Sequence, residues 1–250
     1  MRTIFVIFLL LTTGFSSTVA ADEALQAKIE AAMQAEDRPE ADVARDRNRR
    51  PAKTLEFFQL RDDMRVLELI PGGGWYTRIL APVLRDNGRL YVAIGTNRIA
   101  EGLLLEPGFD KVTVVDVDFE ATRDGPFGTR SLAPFDLGVN NMDLVLTFRN
   151  LHNFNAEARA IINEQVFKSL KSGGIYGVVD HTQRHMEPIS NESRRRLDPV
   201  LVIKEIQAAG FVFEDYSDLH FKPDDELRYE VGRKSVTGNS DRFTILFRKP

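Results

Sequence analysis

The chain has 250 residues, of which 28% are charged and 43% hydrophobic, and this composition suits one globular domain rather than a disordered chain. A formal net charge of −4 gives no general attraction to phosphate backbones or anionic lipids, which argues against a nucleic-acid partner. The sequence contains no cysteine, which excludes disulfides, thiolate metal sites and cysteine nucleophiles.

Residues 1–21 have the order of a secretory signal peptide. Arg2 precedes an apolar run from Ile4 to Leu11, and the segment ends in small residues. The run is too short to cross a bilayer, which needs roughly 20 apolar residues, so we expect cleavage near residue 20 or 21 and no membrane anchor afterwards. The mature protein is then expected in the periplasm or outside the cell. A buried N-terminal helix is the alternative.

Residues 22–60 are predicted to form an N-terminal helical extension. The apolar residues of its first part recur at helical spacing, at Leu25, Ile29, Ala32 and Met33. A helix should also begin near Pro51, because proline is tolerated in a first turn.

Residues 61–250 alternate short β-branched runs with helix-length segments, which is typical of βαβ units and a parallel sheet. Strands are predicted at 66–70, 90–94, 112–115, 144–148, 175–180 and 211–216, and the clearest helices at 156–170 and 197–209. Residues 242–248 alternate in polarity and suggest a half-buried antiparallel edge strand, after a long loop at 222–240. We therefore expect one Rossmann-like α/β domain with a mostly parallel seven-stranded sheet and an antiparallel C-terminal edge strand.

The most informative segment is Val66–Thr77, with the sequence Val-Leu-Glu-Leu-Ile-Pro-Gly-Gly-Gly-Trp-Tyr-Thr. Consecutive glycines let the backbone approach a ligand closely, and N–H groups at a helix start favour an anion. Ligands of open α/β sheets bind outside the carboxyl ends of the strands, so this turn predicts a cofactor pocket. The alternative is a glycine turn that serves only the packing of helix on strand.

Two phosphate-binding motifs do not match this turn. The glycines do not complete G-x-G-x-x-G, because the sixth position is Thr77, and this disfavours an oxidoreductase that uses a nicotinamide dinucleotide. A Walker-type loop is excluded because no Lys-Ser/Thr pair follows the glycines.

With this turn, the chain resembles the class I S-adenosylmethionine-dependent methyltransferases, and more closely a group of predicted exported methyltransferases that have a proline and three glycines here. Two later segments are similar to the family in the same order. Residues 141–153 resemble the fourth strand and the pocket-lining residues after it, and residues 170–180 resemble the turn into the fifth strand. The resemblance covers the chain from about residue 47 to the C-terminus.

The resemblance implies a site for S-adenosylmethionine. Glu68 would orient the amino group of the cofactor, Gly72, Gly73 and Gly74 would lie under its carboxylate side, and Asp118, or else Asp116, would be the adenine-side acid.

The chain departs from the family's pattern at two positions. Ile70 stands where the first loop glycine usually is, and residues 90–96 supply no acid for the ribose hydroxyls at the end of the second strand. Losing that charge-assisted hydrogen bond would cost on the order of 1.5–3 kcal/mol, so weak cofactor binding, or none, is an alternative.

Asn150, His152 and His181 follow the fourth and fifth predicted strands and are the candidates to face a methyl acceptor. A histidine with a pKa near neutrality suits a general base, but methyl transfer from a sulfonium can also proceed by positioning alone. The alternative for both histidines is a hydrogen-bonded structural role. His181 and His185 are four residues apart and could share a helix face as metal ligands, but no third ligand is evident, so no metal is expected.

An arginine cluster just before Pro51 has two interpretations. Its members are Arg45, Arg47, Arg49 and Arg50. They could form a lid or anion site over the pocket, as in the R-x-x-R-x-P segment of the exported group, or a solvated helix face paired with nearby acids. Trp75 and Tyr76 could likewise line the acceptor pocket or pack the first helix of the domain.

The function expected from the resemblance is in-line methyl transfer to an O, N or S atom of a small or medium-sized molecule. The competing hypothesis is an exported binding protein that retains the fold without catalysis. It is motivated by the missing ribose acid and by export to a compartment where S-adenosylmethionine is not normally made. The patterns predict no particular oligomeric state.

Overall fold

A computed structural model describes the backbone of residues 15–250 and the side chains of residues 22–250. The apolar run of the predicted signal peptide therefore lies outside the described residues. Among the helices that are described, none is long and apolar enough to cross a membrane.

Eight α-helices and nine β-strands are described. The helices are α1 (Phe15–Met33), α2 (Glu40–Val43), α3 (Asp46–Arg49), α4 (Pro51–Phe57), α5 (Thr77–Leu84), α6 (Asn97–Ala100), α7 (Ala156–Ser169) and α8 (Pro199–Ala208). The strands are β1 (Arg65–Leu69), β2 (Arg89–Ala93), β3 (Thr113–Val115), β4 (Ala121–Thr122), β5 (Ser131–Leu132), β6 (Met142–Phe148), β7 (Leu170–His181), β8 (Val212–Ser217) and β9 (Arg242–Arg248). Short 3₁₀ turns occur at Leu103–Leu105, Pro126–Gly128 and Leu151–Asn153.

Seven of the strands form one sheet in the order β3-β2-β1-β6-β7-β9-β8, and β4 and β5 form a separate small hairpin. All neighbouring strands from β3 to β7 are parallel, whereas β9 runs antiparallel to both β7 and β8. The predicted Rossmann-like sheet is confirmed.

The position of β9 differs from the sequence-based expectation. Residues 242–248 are antiparallel as predicted, but they lie between β7 and β8 rather than at the edge, which β8 occupies. β9 is buried along almost its whole length because Leu246 packs into the core on one face of the sheet and Phe243, Ile245 and Phe247 into the core on the other.

Helices cover both faces of the sheet, so the domain has three layers. One core joins the sheet to the N-terminal helices and α5, through residues such as Ile29, Leu55 and Ile79. The other core joins it to α7 and α8, through residues such as Ile162 and Ile206. Parallel strands packed on both faces read as nearly continuous apolar runs, which explains the clear strand signals in the sequence.

The helical extension is part of the domain. The helix predicted from Leu25, Ile29, Ala32 and Met33 ends at Met33, and its apolar side packs against α5 and α4. Two short helices, α2 and α3, then bring Arg45 and Arg49 of the arginine cluster to the carboxyl end of β1, whereas Arg47 and Arg50 are exposed elsewhere. Helix α4 begins at Pro51 as predicted.

Candidate functional site

Three non-glycine residues adopt a left-handed backbone conformation directly after neighbouring parallel strands. They are Ile70 after β1 (φ 52°), Ile94 after β2 (φ 67°) and Arg149 after β6 (φ 64°). Such conformations cost on the order of 1–3 kcal/mol each and cluster at ligand sites. Ile70 thus adopts the conformation that a glycine at this position would adopt without steric cost.

Asn150 holds this turn together. Its side-chain amide donates to the carbonyl oxygens of Leu69, at 3.2 Å, and Ile70, at 3.3 Å, and so ties the end of β1 to the residues after β6. The residue therefore has a positioning role in the turn, and its side chain also reaches the cavity described next.

A cavity of about 480 Å³ opens at the carboxyl end of β1. We call it the glycine-turn cavity; its wall includes Glu68, Gly72, Gly73, Trp75, Tyr76, Asn150, Asp42 and the arginines 45, 49, 78, 98 and 149. Gly74 is not in the wall. It packs behind it, where a Cβ atom would lie 2.4 Å from Leu103 Cδ2, and its φ of +81° also favours glycine.

Glu68 is the only acid of β1 and is almost fully buried, with 3% of its surface exposed. Its Oε2 accepts a hydrogen bond from Thr77 Oγ1 at 2.7 Å, and it forms no ion pair with any described residue. Burial raises the pKa of this carboxyl group to about 7, against a partial opposing effect of the Thr77 hydrogen bond. Although five arginines line the same cavity, none of them pairs with Glu68, and a buried carboxyl group without an ion-pair partner is typical of a site whose ligand supplies the cation.

Aromatic stacking joins the residues after the glycine turn to β6, and a cation–π contact joins them to α3. Tyr76 stacks on Phe148 with ring centroids 3.6 Å apart, and the Arg49 guanidinium lies over the Trp75 ring, 4.2 Å from its centroid. Arg49 is buried, so the solvated-face interpretation of the arginine cluster is wrong for this residue. Arg45 is exposed and reaches the same cavity.

A second cavity of about 360 Å³ adjoins the first. We call it the arginine cavity; it is lined by arginines 45, 49, 149, 195 and 242 and by Asn48, His181, Val231, Gly232, Thr237, Gly238 and Ser240. Three of these arginines, at positions 45, 49 and 149, also line the glycine-turn cavity. The two cavities therefore share a wall.

His181 lies buried in the wall of the arginine cavity. Its Nδ1 is 2.9 Å from Ser240 Oγ. Burial, together with the nearby His152 and Arg242, lowers the pKa of His181 well below its usual value. The ring therefore stays neutral at physiological pH and acts as a hydrogen-bonding group rather than as an acid.

His152 forms a dyad with Asp180, a fully buried acid at the end of β7. His152 Nδ1 lies 2.5 Å from Asp180 Oδ1, and the same carboxylate accepts the backbone N–H groups of His152 and His181. An ionised carboxylate only accepts hydrogen bonds, so His152 Nδ1 is the donor in this pair, and in the neutral ring Nε2 carries the lone pair. His152 borders a third cavity of about 200 Å³, whose wall includes Arg195, and its ring centroid is 5.5 Å from that of His181.

Asp180 is a candidate site residue that the sequence patterns did not single out. It ends the strand segment that resembles the family, directly before His181, and an acid at the carboxyl end of a buried strand was the available signal. Its partner His152 is 28 residues away in the chain, and the two meet because β6 and β7 are neighbours in the sheet.

No protein-family model matches this chain, and no curated protein matches its sequence. Among solved structures, one similar to it is a SAM-dependent methyltransferase from Aquifex aeolicus, with a TM-score of 0.56 and 17% identity over 89% of this chain and 97% of that chain. The fold is that of the class I methyltransferases.

Two further solved structures show how widely this methyltransferase fold is used. The [4+2]-cyclase SpnF matches with a TM-score of 0.57 and 17% identity over 94% of each chain. The 1,6-didemethyltoxoflavin-N1-methyltransferase of Burkholderia thailandensis, with 1,6-didemethyltoxoflavin and S-adenosylhomocysteine bound, matches with a TM-score of 0.52 and 13% identity over 97% of this chain and 93% of that chain. At these identities the similarity shows the fold alone, and the chemistry has to be argued from the site.

In the methyltransferase fold, the acidic residues that contact the ribose and the adenine of the cofactor are expected at the ends of β2 and β3. Asp116 and Asp118 follow β3, but both are exposed and line none of the three cavities, so the role of Asp118 stays a prediction. From the β2 side it is Arg98 that reaches the glycine-turn cavity, and its guanidinium carbon would lie 3.6 Å from a Cβ atom on Gly73. The Arg98 guanidinium therefore lies near the glycine turn on the β2 side, where the family's ribose-binding acid is missing.

The other two histidines, His185 and His220, form hydrogen bonds within the protein and line none of the three cavities. His220 is buried between Thr244 Oγ1 and the Arg49 carbonyl oxygen, and burial lowers its pKa to about 3. His185 is exposed and pairs with Asp198. His181 ends a strand and His185 lies in a turn, so the two do not share a helix face, and no group of three potential metal ligands occurs among the described residues.

Proposed function

We propose that this protein is an S-adenosylmethionine-dependent methyltransferase that acts on an O, N or S atom of a small or medium-sized molecule. The observation that carries the proposal is Glu68, a buried carboxylate that faces the glycine-turn cavity without a cation partner. A ligand with an ammonium group would supply that partner. The methyltransferase fold and the bound S-adenosylhomocysteine of one structural neighbour support the same assignment.

The residues of the glycine-turn cavity fit the methionine half of the cofactor. Glu68 would hold the ammonium group, and the backbone of Gly72 and Gly73 together with Arg45 or Arg49 would hold the carboxylate. The adenosine half lacks its usual carboxylate partner after β2, so we expect weaker binding of that half. When bound, S-adenosylmethionine supplies a methyl group on a sulfonium.

The acceptor side of the proposal rests on the His152–Asp180 dyad. Asp180 is the positioning residue: it holds the tautomer in which His152 Nε2 can take a proton from the nucleophilic atom of the acceptor. Neutral His181, whose ring centroid is 5.5 Å from that of His152, would donate a hydrogen bond to the acceptor or accept one from it.

Calorimetric titration of the purified protein with S-adenosylmethionine and S-adenosylhomocysteine tests the proposal. We expect micromolar binding that Glu68→Gln weakens by about ten- to a hundredfold, because the variant keeps the shape but loses the charge-assisted bond to the ammonium group. Glu101→Gln, a change at an exposed acid outside all three cavities, is the matched control and should bind normally. No heat and no thermal shift at millimolar ligand would contradict the proposal and favour a non-catalytic binding protein.

We further propose that the protein is exported and processed near residue 21. The order of residues 1–21 supports this, and so does the packing of α1, whose deeply buried residue Ile29 lies well beyond the cleavage point. Cleavage there would leave the packing of α1 on α5 intact. N-terminal sequencing of the protein recovered from a periplasmic fraction should begin at Ala21 or Asp22, whereas a cytoplasmic protein that keeps Met1 would contradict export.

A further inference from the structure

We propose that the arginine cavity binds an anionic group of the methyl acceptor, a carboxylate or a phosphate, so that the acceptor is an organic anion. This inference rests on the proposed methyltransferase function and names the substrate class of the same site. It follows from the charges in the wall of the cavity, from the burial of those charges and from the position of the cavity beside the glycine turn.

The wall of the arginine cavity carries charge of one sign. Five arginine side chains line it, and none of the described residues in its wall is an aspartate or a glutamate. The remaining polar residues of the wall are hydrogen-bonding groups without charge, among them His181, Thr237 and Ser240. Five guanidinium groups around one small cavity repel each other unless an anion lies between them.

Arg149 and Arg242 form neither an ion pair nor a cation–π contact with any described residue. Arg242 is buried, with 7% of its surface exposed; its Nη1 donates to the Asn48 carbonyl oxygen at 2.9 Å, and its Nε has no hydrogen-bond partner among the described residues. Burying a charge without a partner is costly, and an anionic ligand would remove that cost.

The remaining three arginines are only partly satisfied. Arg195 pairs with Glu230, and Arg45 approaches Asp42 only to 3.8 Å. Arg49 has the Trp75 ring beside it rather than a carboxylate.

Apart from Glu230, which pairs with Arg195, the acids near the cluster are engaged elsewhere. Asp180, a buried acid whose charge acts on Arg149 and Arg242, already accepts from His152 Nδ1 and from two backbone N–H groups. Asp241, buried directly before Arg242, accepts from the backbone N–H of Lys222. In agreement, burial and the charges of Arg242 and Arg45 lower the pKa of Arg149 to about 10. The protein therefore holds a partly desolvated positive charge at this cavity without balancing it.

The position of the arginine cavity indicates that its ligand is the methyl acceptor rather than the methyl donor. Arg242 and His181 line the arginine cavity and not the glycine-turn cavity, whereas Arg149 lines both. An anion held by Arg242 would leave the rest of its molecule beside the shared wall, next to the proposed methyl donor. A volume of about 360 Å³ is also within the usual range of small-molecule sites.

The rival explanation is that these arginines serve only the carboxylate of the cofactor. Titration with inorganic phosphate and, separately, with acetate distinguishes the two, first on the free protein and then on protein saturated with S-adenosylhomocysteine. Sodium chloride at equal ionic strength is the control for screening. We expect phosphate or acetate to bind at millimolar concentration in both states, with at most a few-fold loss of affinity when the carboxylate of S-adenosylhomocysteine occupies the shared arginines. Competition with S-adenosylhomocysteine would overturn the inference.

A matched pair of variants tests the site without removing an arginine. Thr237 is exposed at the cavity, and Thr237→Glu would place a carboxylate among the arginines. We expect Thr237→Glu to raise the melting temperature of the ligand-free protein and to lower phosphate affinity by at least about tenfold. The neutral Thr237→Gln should lower phosphate affinity much less than Thr237→Glu does, and both variants should keep S-adenosylhomocysteine binding because Thr237 does not line the glycine-turn cavity.

The loss of a guanidinium supplies the second test. Arg149→Met should lower phosphate affinity by about ten- to a hundredfold, while Arg98→Met, a change in the glycine-turn cavity alone, should leave it unchanged.

The relative affinities of the probes identify the anion, since tighter phosphate indicates a phosphate monoester and tighter acetate a carboxylate. Absence of binding by both probes would overturn the inference even if S-adenosylhomocysteine binds. Binding of a probe without S-adenosylhomocysteine binding would instead contradict the methyltransferase function and leave an anion site.

Discussion

The glycine-turn cavity and the arginine cavity lie side by side and share three arginines, yet they differ in charge. The glycine-turn cavity combines those arginines with Glu68 and Asp42, so it offers both signs to a ligand. The arginine cavity has no acid among its described lining residues. A cofactor with ammonium, carboxylate and sulfonium groups matches the first, and an anion matches the second. If both proposals hold, one shared wall serves two ligands because the opposite walls differ in charge.

The largest expected effect is that of removing His152, which should lower the rate of methyl transfer without changing ligand binding at either cavity. His152→Gln removes the proposed base, and we expect the single-turnover rate constant for methyl transfer to an anionic acceptor to fall by about 10²- to 10⁴-fold. S-adenosylhomocysteine and phosphate should bind with unchanged affinity, because His152 lines neither of the two cavities. The measurement is single-turnover methyl transfer, with His185→Gln at an exposed histidine as the control. An unchanged rate would show that the His152–Asp180 pair is structural and that positioning alone suffices.

The second effect concerns the acid that distinguishes the glycine-turn cavity. The pKa of Glu68 is about 7 in the folded protein against 4.5 for an unperturbed side chain, so the folded state binds this proton more tightly. Its contribution to stability is full below pH 4.5 and is lost as the pH rises through 7, a loss of roughly 3 kcal/mol at pH 8 and above.

Glu68→Gln has no such titration. We therefore expect it to unfold at higher urea concentration than the native protein at pH 8, by up to roughly 3 kcal/mol in unfolding free energy, although it binds the cofactor less well. Urea unfolding at pH 5 and pH 8, with Glu101→Gln as control, measures the difference. If Glu68→Gln and the native protein show the same pH dependence, the carboxyl group is not desolvated and its proposed role fails.

The smallest effect tests the packing behind the glycine turn. Gly74→Ala adds a Cβ atom at a φ of +81° and within 2.4 Å of Leu103 Cδ2, so we expect a loss of about 1–3 kcal/mol in unfolding free energy. Gly108→Ala is a matched control, because its φ is +96° but no atom lies within 4 Å of the new Cβ. The difference between the two variants isolates the clash. Equal losses would mean that Leu103 moves aside freely and that the turn tolerates a side chain.

Most of the fold could be predicted from the sequence because most of the parallel strands alternate with helices and read as short apolar runs, whereas the small hairpin β4–β5 was not predicted. The bounds of β1, β2 and β3 agree with the prediction to within one residue at each end, and those of β9 agree fully. What alternation could not show is that β9 lies between β7 and β8. Phe243, Ile245 and Phe247 point to one face, and only the helices on both faces explain why Leu246 is buried as well.

The candidate site was predictable where the ligand-binding residues are adjacent in the chain. Glu68 and the glycines belong to one turn and were found together, and their place at the carboxyl end of β1 follows from the parallel sheet. Asp180 was missed because its role depends on a histidine from a different strand. For Asp118 the position in the chain resembles that of the family's adenine-side acid, but its side chain is exposed and lines none of the three cavities, so its role stays a prediction.

The sequence by itself determined the α/β fold, the position of the glycine turn and the presence of an acid before it, because these depend on local periodicity and on neighbouring residues. Only the tertiary structure decided the charge of the second cavity. Arg49, Arg149 and Arg242 come from α3, from the turn after β6 and from β9, and nothing in their local sequences indicates that they share one wall. They meet because parallel strands expose their carboxyl ends at one edge while an antiparallel strand contributes its first residue to the same edge, which is a property of the sheet as a whole.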